Sequence, residues 1–186
     1  MTKGRPWLSW LILAGASIGI GLGTVEITNW LRLDPCHLCI FQRLLMLVFG
    51  TLALGVALTI KRRRLALMTG GLALCASIAG AGTAAYQSWI QLQPAGAVTC
   101  TGARPGLIEL LVEWLGQQMP ALFLATGFCE DEGFTFLGLS LANWSLVSFA
   151  ALSVVTAYLL LKARPLDARL ADNPRVTPSK FSEISQ

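Results

Sequence analysis

Charge is scarce in this sequence. Asp, Glu, Lys and Arg together supply 13% of its 186 residues, against 54% that are hydrophobic. That balance excludes an ordinary soluble domain. Histidine occurs once, at His37, where it tunes its neighbours rather than anchoring a metal ion. No internal repeat is present, which excludes a solenoid or array. The 14 basic residues outnumber the 10 acidic ones for a net charge of +4. In a soluble protein this would suggest nucleic acid, but here topology and anionic lipid account for it, and no nucleic-acid binding is expected.

What the chain does contain is long uncharged runs. Crossing ~30 Å of hydrocarbon takes roughly 20 helical residues, and four segments qualify: about Leu8 to Ile27, Ile40 to Ile60, Leu65 to Tyr86, and Trp144 to Leu161. Lys3 and Arg5 precede the first, as in a signal peptide. Its apolar stretch exceeds the ~7 to 15 residues of a signal-peptide core, so it reads as a permanent helix. The expected fold is an all-α integral membrane four-helix bundle.

Short loops rich in Lys and Arg stay in the cytoplasm. Four spans put Lys3, Arg5, Lys61, Arg62, Arg63, Arg64, Lys162, Arg164, Arg169, Arg175 and Lys180 on one side, leaving Arg32, Arg43 and Arg104 opposite. Both termini are therefore expected in the cytoplasm, with loops 28 to 39 and 87 to 143 outside. The basic tetrad forms the whole turn between spans two and three, making those helices neighbours. Gly15, Gly19 and Gly23 in the first span, and Ala76, Gly80 and Ala84 in the third, offer smooth faces for close helix contact. Residues 1 to 162 form the membrane domain, and the tail 163 to 186, with Pro165, Pro174 and Pro178, reads as disordered.

The large outer loop holds an amphipathic stretch. From Pro105 to Met119, Glu109, Glu113 and Gln117 recur every four residues opposite Leu107, Ile108, Leu111, Trp114 and Leu115. This suits a short interfacial helix on the extracytoplasmic bilayer surface, or one packed on the end of the bundle.

Topology sorts the five cysteines. Cys36 and Cys39 fall at the outer end of the second span, Cys100 and Cys129 in the large loop, and Cys75 within the third span. Four of the five thus face a compartment in which disulfides persist. Asp34 followed by Pro35 is a helix-start signal, with Asp as N-cap and Pro in the first turn. Cys36 and Cys39 then occupy the opening turn, where free N–H groups and the helix dipole favour a thiolate. A Cys-x-x-Cys pair can also be half of a zinc site or a plain staple. Cys100 and Cys129 lack zinc-knuckle spacing, and a staple across so few residues stabilises little, so exchange chemistry is the better reading.

Arg43 lies four positions after Cys39 and seven after Cys36, on one helix face with both. A cation there either snorkels to the interface or stabilises a Cys39 thiolate or a reduced quinone oxygen, and its position favours the second role. Cys75 is assigned to packing. Glu26 is an interfacial carboxylate or a buried proton relay, with the first reading ahead.

Asp-Pro-Cys-His-Leu-Cys-Ile-Phe-Gln-Arg (34 to 43), Cys100, Phe-Leu-Ala-Thr-Gly-Phe-Cys (123 to 129), Thr-Phe-Leu-Gly-Leu-Ser (135 to 140) and Trp144, on four spans, resemble the DsbB family of quinone-dependent disulfide oxidoreductases. The resemblance implies an inner-membrane enzyme that reoxidises a periplasmic DsbA-like dithiol protein and delivers the electrons to ubiquinone or menaquinone. It further implies disulfides Cys36 to Cys39 and Cys100 to Cys129, all four cysteines being catalytic. The donor attacks Cys100, Cys129 engages Cys36, and Cys39 is freed beside Arg43 and quinone. A strongly oxidising donor can be recharged only by an acceptor of higher potential, which fits a quinone. The chain departs from the family at Phe134 and Ala142, where Trp and Pro are common. It also carries Gln87 and Ser88 where some members place a basic residue or histidine. The alternative is a non-catalytic four-span protein whose disulfides are structural.

Overall fold

The computed structural model describes residues 6–94, 106–127 and 135–163. Cys100, Arg104, Cys129, Phe134 and the tail beyond residue 163, on which several expectations fall, lie outside the described residues.

Four long helices dominate: α1 (Pro6–Leu31), α2 (His37–Thr59), α3 (Arg63–Gln91) and α6 (Leu141–Ala163). Each is long and apolar enough to cross a membrane. Their outward faces are apolar as well, with Ile12, Leu58, Met68 and Val154 all more than half exposed. In water such a surface would be a liability; against hydrocarbon it needs no cover. The chain is a multi-pass membrane bundle.

All four helices start or end outside the expected limits. Pro6 opens α1, where its fixed φ and missing N–H cost nothing. The α1 helix ends in the left-handed turn at Arg32. Of the basic tetrad, Arg63 and Arg64 belong to the first turn of α3 rather than to the loop. The turn closes instead through the Arg62 N–H donating to the Thr59 carbonyl at 2.7 Å. At 29 residues, α3 is about 43 Å long, well beyond the hydrocarbon thickness. Its length exceeds what a straight crossing needs.

Helix α2 packs on both α1 and α3, and α3 on α6. The centre is filled by Trp10, Met46, Phe49, Phe149 and Leu152 around small residues Ala14, Ala53 and Ala73. The close approaches differ in part from those expected. On α3, Gly80 and Ala84 are buried as foreseen, and a Cβ at Gly80 would enter the ring of Phe149. On α1, Gly15, Gly19 and Gly23 meet no neighbour. Contact with α2 runs instead through Ala14, Ser17 and Gly21, where the Ser17 hydroxyl donates to the Met46 carbonyl at 2.9 Å. Glycine spacing alone does not identify the packed face, because α1 carries small residues on two sides.

Outside the spans, α4 (Leu107–Gln118) is followed by the single turn α5 (Pro120–Phe123). Glu109 accepts from the Gly106 N–H at 2.8 Å and closes the start of α4. Val112 and Phe123 pack with Ile40 of α2 in a small second core. Leu107, Leu110, Leu111 and Trp114 remain outward. One face of this segment therefore packs on the end of the bundle, as the second alternative has it, and the other leaves an apolar stripe exposed. A two-residue hairpin, β1 (Thr135–Phe136) and β2 (Leu139–Ser140), turns through Leu137 and Gly138 at positive φ. It leads directly into α6.

Candidate functional site at the outer end of α2

The start of α2 corrects one expectation. The N-cap is Cys36, not Asp34: Cys36 is extended, and its Sγ accepts from the Cys39 N–H at 3.3 Å. Asp34 is drawn away because its carboxylate accepts from the Thr126 hydroxyl at 2.9 Å. The helix therefore begins two residues later, with a sulfur in place of a capping oxygen.

Capping by sulfur draws the pair together. Cys36 Sγ and Cys39 Sγ lie 2.6 Å apart, well inside nonbonded contact and near the ~2.05 Å of a disulfide. Cys36 is buried, at 2% exposure. Its thiol is held above the ordinary cysteine range, first by the contact with Cys39 and then by burial.

Beside the sulfurs stands Gln87 of α3. Its Nε2 donates to Cys36 Sγ at 3.3 Å and to Cys39 Sγ at 3.1 Å. Gln42 of α2 donates in turn to Gln87 Oε1 at 2.8 Å. Arg43 is buried one position further, and its Nη2 donates to the Thr24 carbonyl at 3.2 Å and the Thr28 hydroxyl at 2.8 Å. Both partners are neutral, so the guanidinium is aimed without being neutralised.

A cavity of about 210 Å³ opens among α1, α2, α3 and the start of α6. Cys36, Cys39, Arg43, Gln87, Trp144 and Phe149 all contribute to its wall. The three α2 residues expected on one face do share it. Thr24 and Thr28 of α1 complete the polar side. A flat, partly polar molecule in this cavity would meet a sulfur, a cation and aromatic rings.

The second outer segment is fastened to the same place. Thr126 and Gly127 donate their backbone N–H groups to the Pro35 carbonyl at 3.0 and 3.1 Å. A Cβ at Gly127 would collide with the Asp34 carbonyl. Cys129 follows two positions later in the sequence.

The remaining candidates lie away from the cavity. Cys75 is exposed on the outer face of α3, so it fills no core position as had been expected. Glu26 is exposed, in keeping with an interfacial carboxylate. Sequence reasoning did not single out Gln42, Thr24 or Thr28, and it noted Gln87 only for not being basic. The available signal was the presence of amides and hydroxyls inside apolar spans, where unpaired polar groups are costly.

Against known proteins, the family model described as "Disulfide bond formation protein DsbB" matches residues 6–159. The chain belongs to the DsbB family. It is 41% identical over 161 residues to Disulfide bond formation protein B of Dechloromonas aromatica (strain RCB), covering 84% of this chain and 90% of that protein. The protein of the same name from Azoarcus sp. (strain BH72) is 38% identical over 162 residues, covering 86% and 94%. The one from Shewanella sp. (strain MR-4) is 32% identical over 146 residues, covering 76% and 79%. The DsbB match takes in the first three long helices, most of α6, and every residue of the sulfur, amide and guanidinium cluster.

Proposed function

We propose that this DsbB-family chain is an inner-membrane oxidoreductase that supports disulfide bond formation by reoxidising a periplasmic DsbA-like dithiol protein and delivering the electrons to quinone. The observation that carries this reading is the abutment of the Cys36 and Cys39 sulfurs on a cavity that also receives the buried Arg43. A structural disulfide needs no adjoining cavity and no buried cation aimed by two hydrogen bonds.

In this account the donor thiolate attacks the Cys100 to Cys129 disulfide at Cys100, and Cys129 leaves. Cys129 then attacks Cys36, and Cys39 leaves with the electron pair. Two residues of extended chain span about 7 Å, so anchorage of Gly127 at Pro35 supports the reach of Cys129 to Cys36. Cys39 ends beside the cavity, with Arg43 across from it. The lining fits a quinone ring: aromatic and aliphatic walls, a cation for a developing oxyanion, and threonine hydroxyls. Ubiquinone or menaquinone bound there would supply a two-electron, two-proton acceptor. Arg43 would hold its ring oxygen and Cys39 would be the nearest donor sulfur.

Orientation follows the basic residues. Lys61, Arg62, Arg63 and Arg64 between α2 and α3 stay in the cytoplasm with both termini, and the cysteine segments lie in the periplasm. The direct test uses the full chain in lipid nanodiscs, a reduced DsbA-like protein and either quinone. Donor thiols should disappear in step with quinol formation. Four inert cysteines with no quinol formed would leave only the structural-disulfide reading.

A further inference from the structure

Two buried glutamines meet between α2 and α3. Gln42 is 4% exposed and Gln87 3%, in a part of the molecule where an unpaired amide would be expensive. A carboxamide has one accepting end and one donating end. Gln42 Nε2 occupies the oxygen of Gln87 at 2.8 Å, so the nitrogen of Gln87 must face the other way. There it lies 3.3 Å from Cys36 Sγ and 3.1 Å from Cys39 Sγ. Turning Gln87 over would set two NH2 groups against each other and an amide oxygen against sulfur lone pairs.

Arg43 does not donate a hydrogen bond to either sulfur among the described residues, its Nη2 being turned to Thr24 and Thr28. Nor does Gln87 take up a proton, so its donation is the same whichever sulfur carries charge. A hydrogen bond to an ionised acceptor in a buried site is about twice as strong as a neutral one. It costs no reorganisation if the donor is already aimed.

We propose that Gln42 is a positioning residue, which holds the Gln87 amide with its N–H groups on the sulfur pair so that the charge released on opening meets a fixed donor. The proposal rests on the reading of Cys36 and Cys39 as an exchanging pair. In the step concerned, an incoming thiolate forms a bond to Cys36 Sγ, the bond from Cys36 Sγ to Cys39 Sγ breaks, and the electron pair leaves on Cys39. Gln87 touches the reacting sulfurs. Gln42 lines the same cavity but reaches the sulfurs through Gln87, which is why the test is run without quinone.

The test uses the full-length protein in detergent without quinone or a protein partner. The Cys36 to Cys39 pair is equilibrated with glutathione redox buffers and read by mass spectrometry of trapped thiols. Gln42→Met and Gln87→Met should each shift the equilibrium about tenfold toward the disulfide, equivalent to a potential about 30 mV more negative. The double variant should lose no more than either single one, since both remove the same interaction. Additive losses, or an unchanged equilibrium in Gln42→Met beside a shifted one in Gln87→Met, would overturn the proposal. If Gln42→Met does not fold, the wild-type protein still decides. The side-chain 15N–H2 signals of Gln87, assigned by their loss in Gln87→Met, should move when the pair is reduced, and immobility would refute the proposal. A chain showing this pattern while reducing no quinone would defeat the proposed function and leave the positioning role standing.

Discussion

Thr126 Oγ1 donates to Asp34 Oδ1 at 2.9 Å across 92 positions of sequence. Together with the two backbone N–H groups on the Pro35 carbonyl, it fastens Thr126 and Gly127 of the large loop to the turn that starts α2. Gly127 is required there because any side chain would strike the Asp34 carbonyl. Forcing atoms into such a contact costs about 1–3 kcal/mol. In a Cys39→Ser background the free Cys36 thiolate attacks Cys129 of the Cys100 to Cys129 disulfide and releases Cys100, and Gly127→Ala should slow the appearance of this Cys36 to Cys129 link roughly tenfold. Quenched samples on non-reducing gels give the rate. An unchanged rate would mean that this fastening plays no part in bringing the segments together.

Arg43 is aimed by α1, so its contribution should be separable from its aim. Losing a charge-assisted hydrogen bond costs about 1.5–3 kcal/mol. Arg43→Ala should accordingly raise the KM for quinone by at least about tenfold. Arg43→Lys should fall between, since an ammonium keeps the charge but lacks the rigid planar head whose Nη2 reaches Thr24 and Thr28. Thr28→Val, which removes the 2.8 Å bond to Arg43 but leaves the one to the Thr24 carbonyl, should raise KM by a smaller factor. Equal KM values in all three variants would take Arg43 out of the quinone site.

Close packing of α3 on α6 depends on Gly80. A methyl group there would enter the Phe149 ring, and a site this tight yields only by moving helices or the ring. Gly80→Ala should lower the unfolding temperature in detergent by several degrees, in keeping with an overpacking cost of about 1–3 kcal/mol. Adding Phe149→Leu to Gly80→Ala should restore part of it. No recovery in the double variant would assign the loss to something other than this contact.

Cys75 lies on the outer surface of α3, away from the sulfur pair and the cavity. Cys75→Ala should leave thiol oxidation within about twofold of the starting protein, as surface substitutions usually cost under about 0.5 kcal/mol. A larger loss, measured in the same nanodisc assay, would show that a fifth sulfur takes part.

The spans were readable because helices facing lipid must be apolar along about 20 residues, and composition records that directly. The neighbourhood of α2 and α3 followed from the short basic turn, and the shared face of Cys36, Cys39 and Arg43 from helical spacing. What escaped the sequence depends on contacts between distant segments. Asp34 looks like the cap of α2, yet Thr126 claims its carboxylate and Cys36 caps instead. The glycines of α1 look like a packing stripe, but the neighbouring face with Ser17 and Gly21 is the one against α2. Gln42 and Gln87 are ordinary polar residues until two helices bring their amides within 2.8 Å. The hairpin before α6 hides in a Leu-Gly pair, since leucine rarely takes the positive φ found at Leu137.

The account turns on Cys39 being the sulfur that faces the electron acceptor. The most direct measurement is quinone reduction by a reduced DsbA-like donor, followed spectrophotometrically, with the unaltered chain and with Cys39→Ser in nanodiscs. Cys39→Ser should form no quinol and should oxidise no more than one equivalent of donor, at the cost of its Cys100 to Cys129 disulfide, while the unaltered chain turns over. Quinol formation by Cys39→Ser at the unaltered rate would contradict the account.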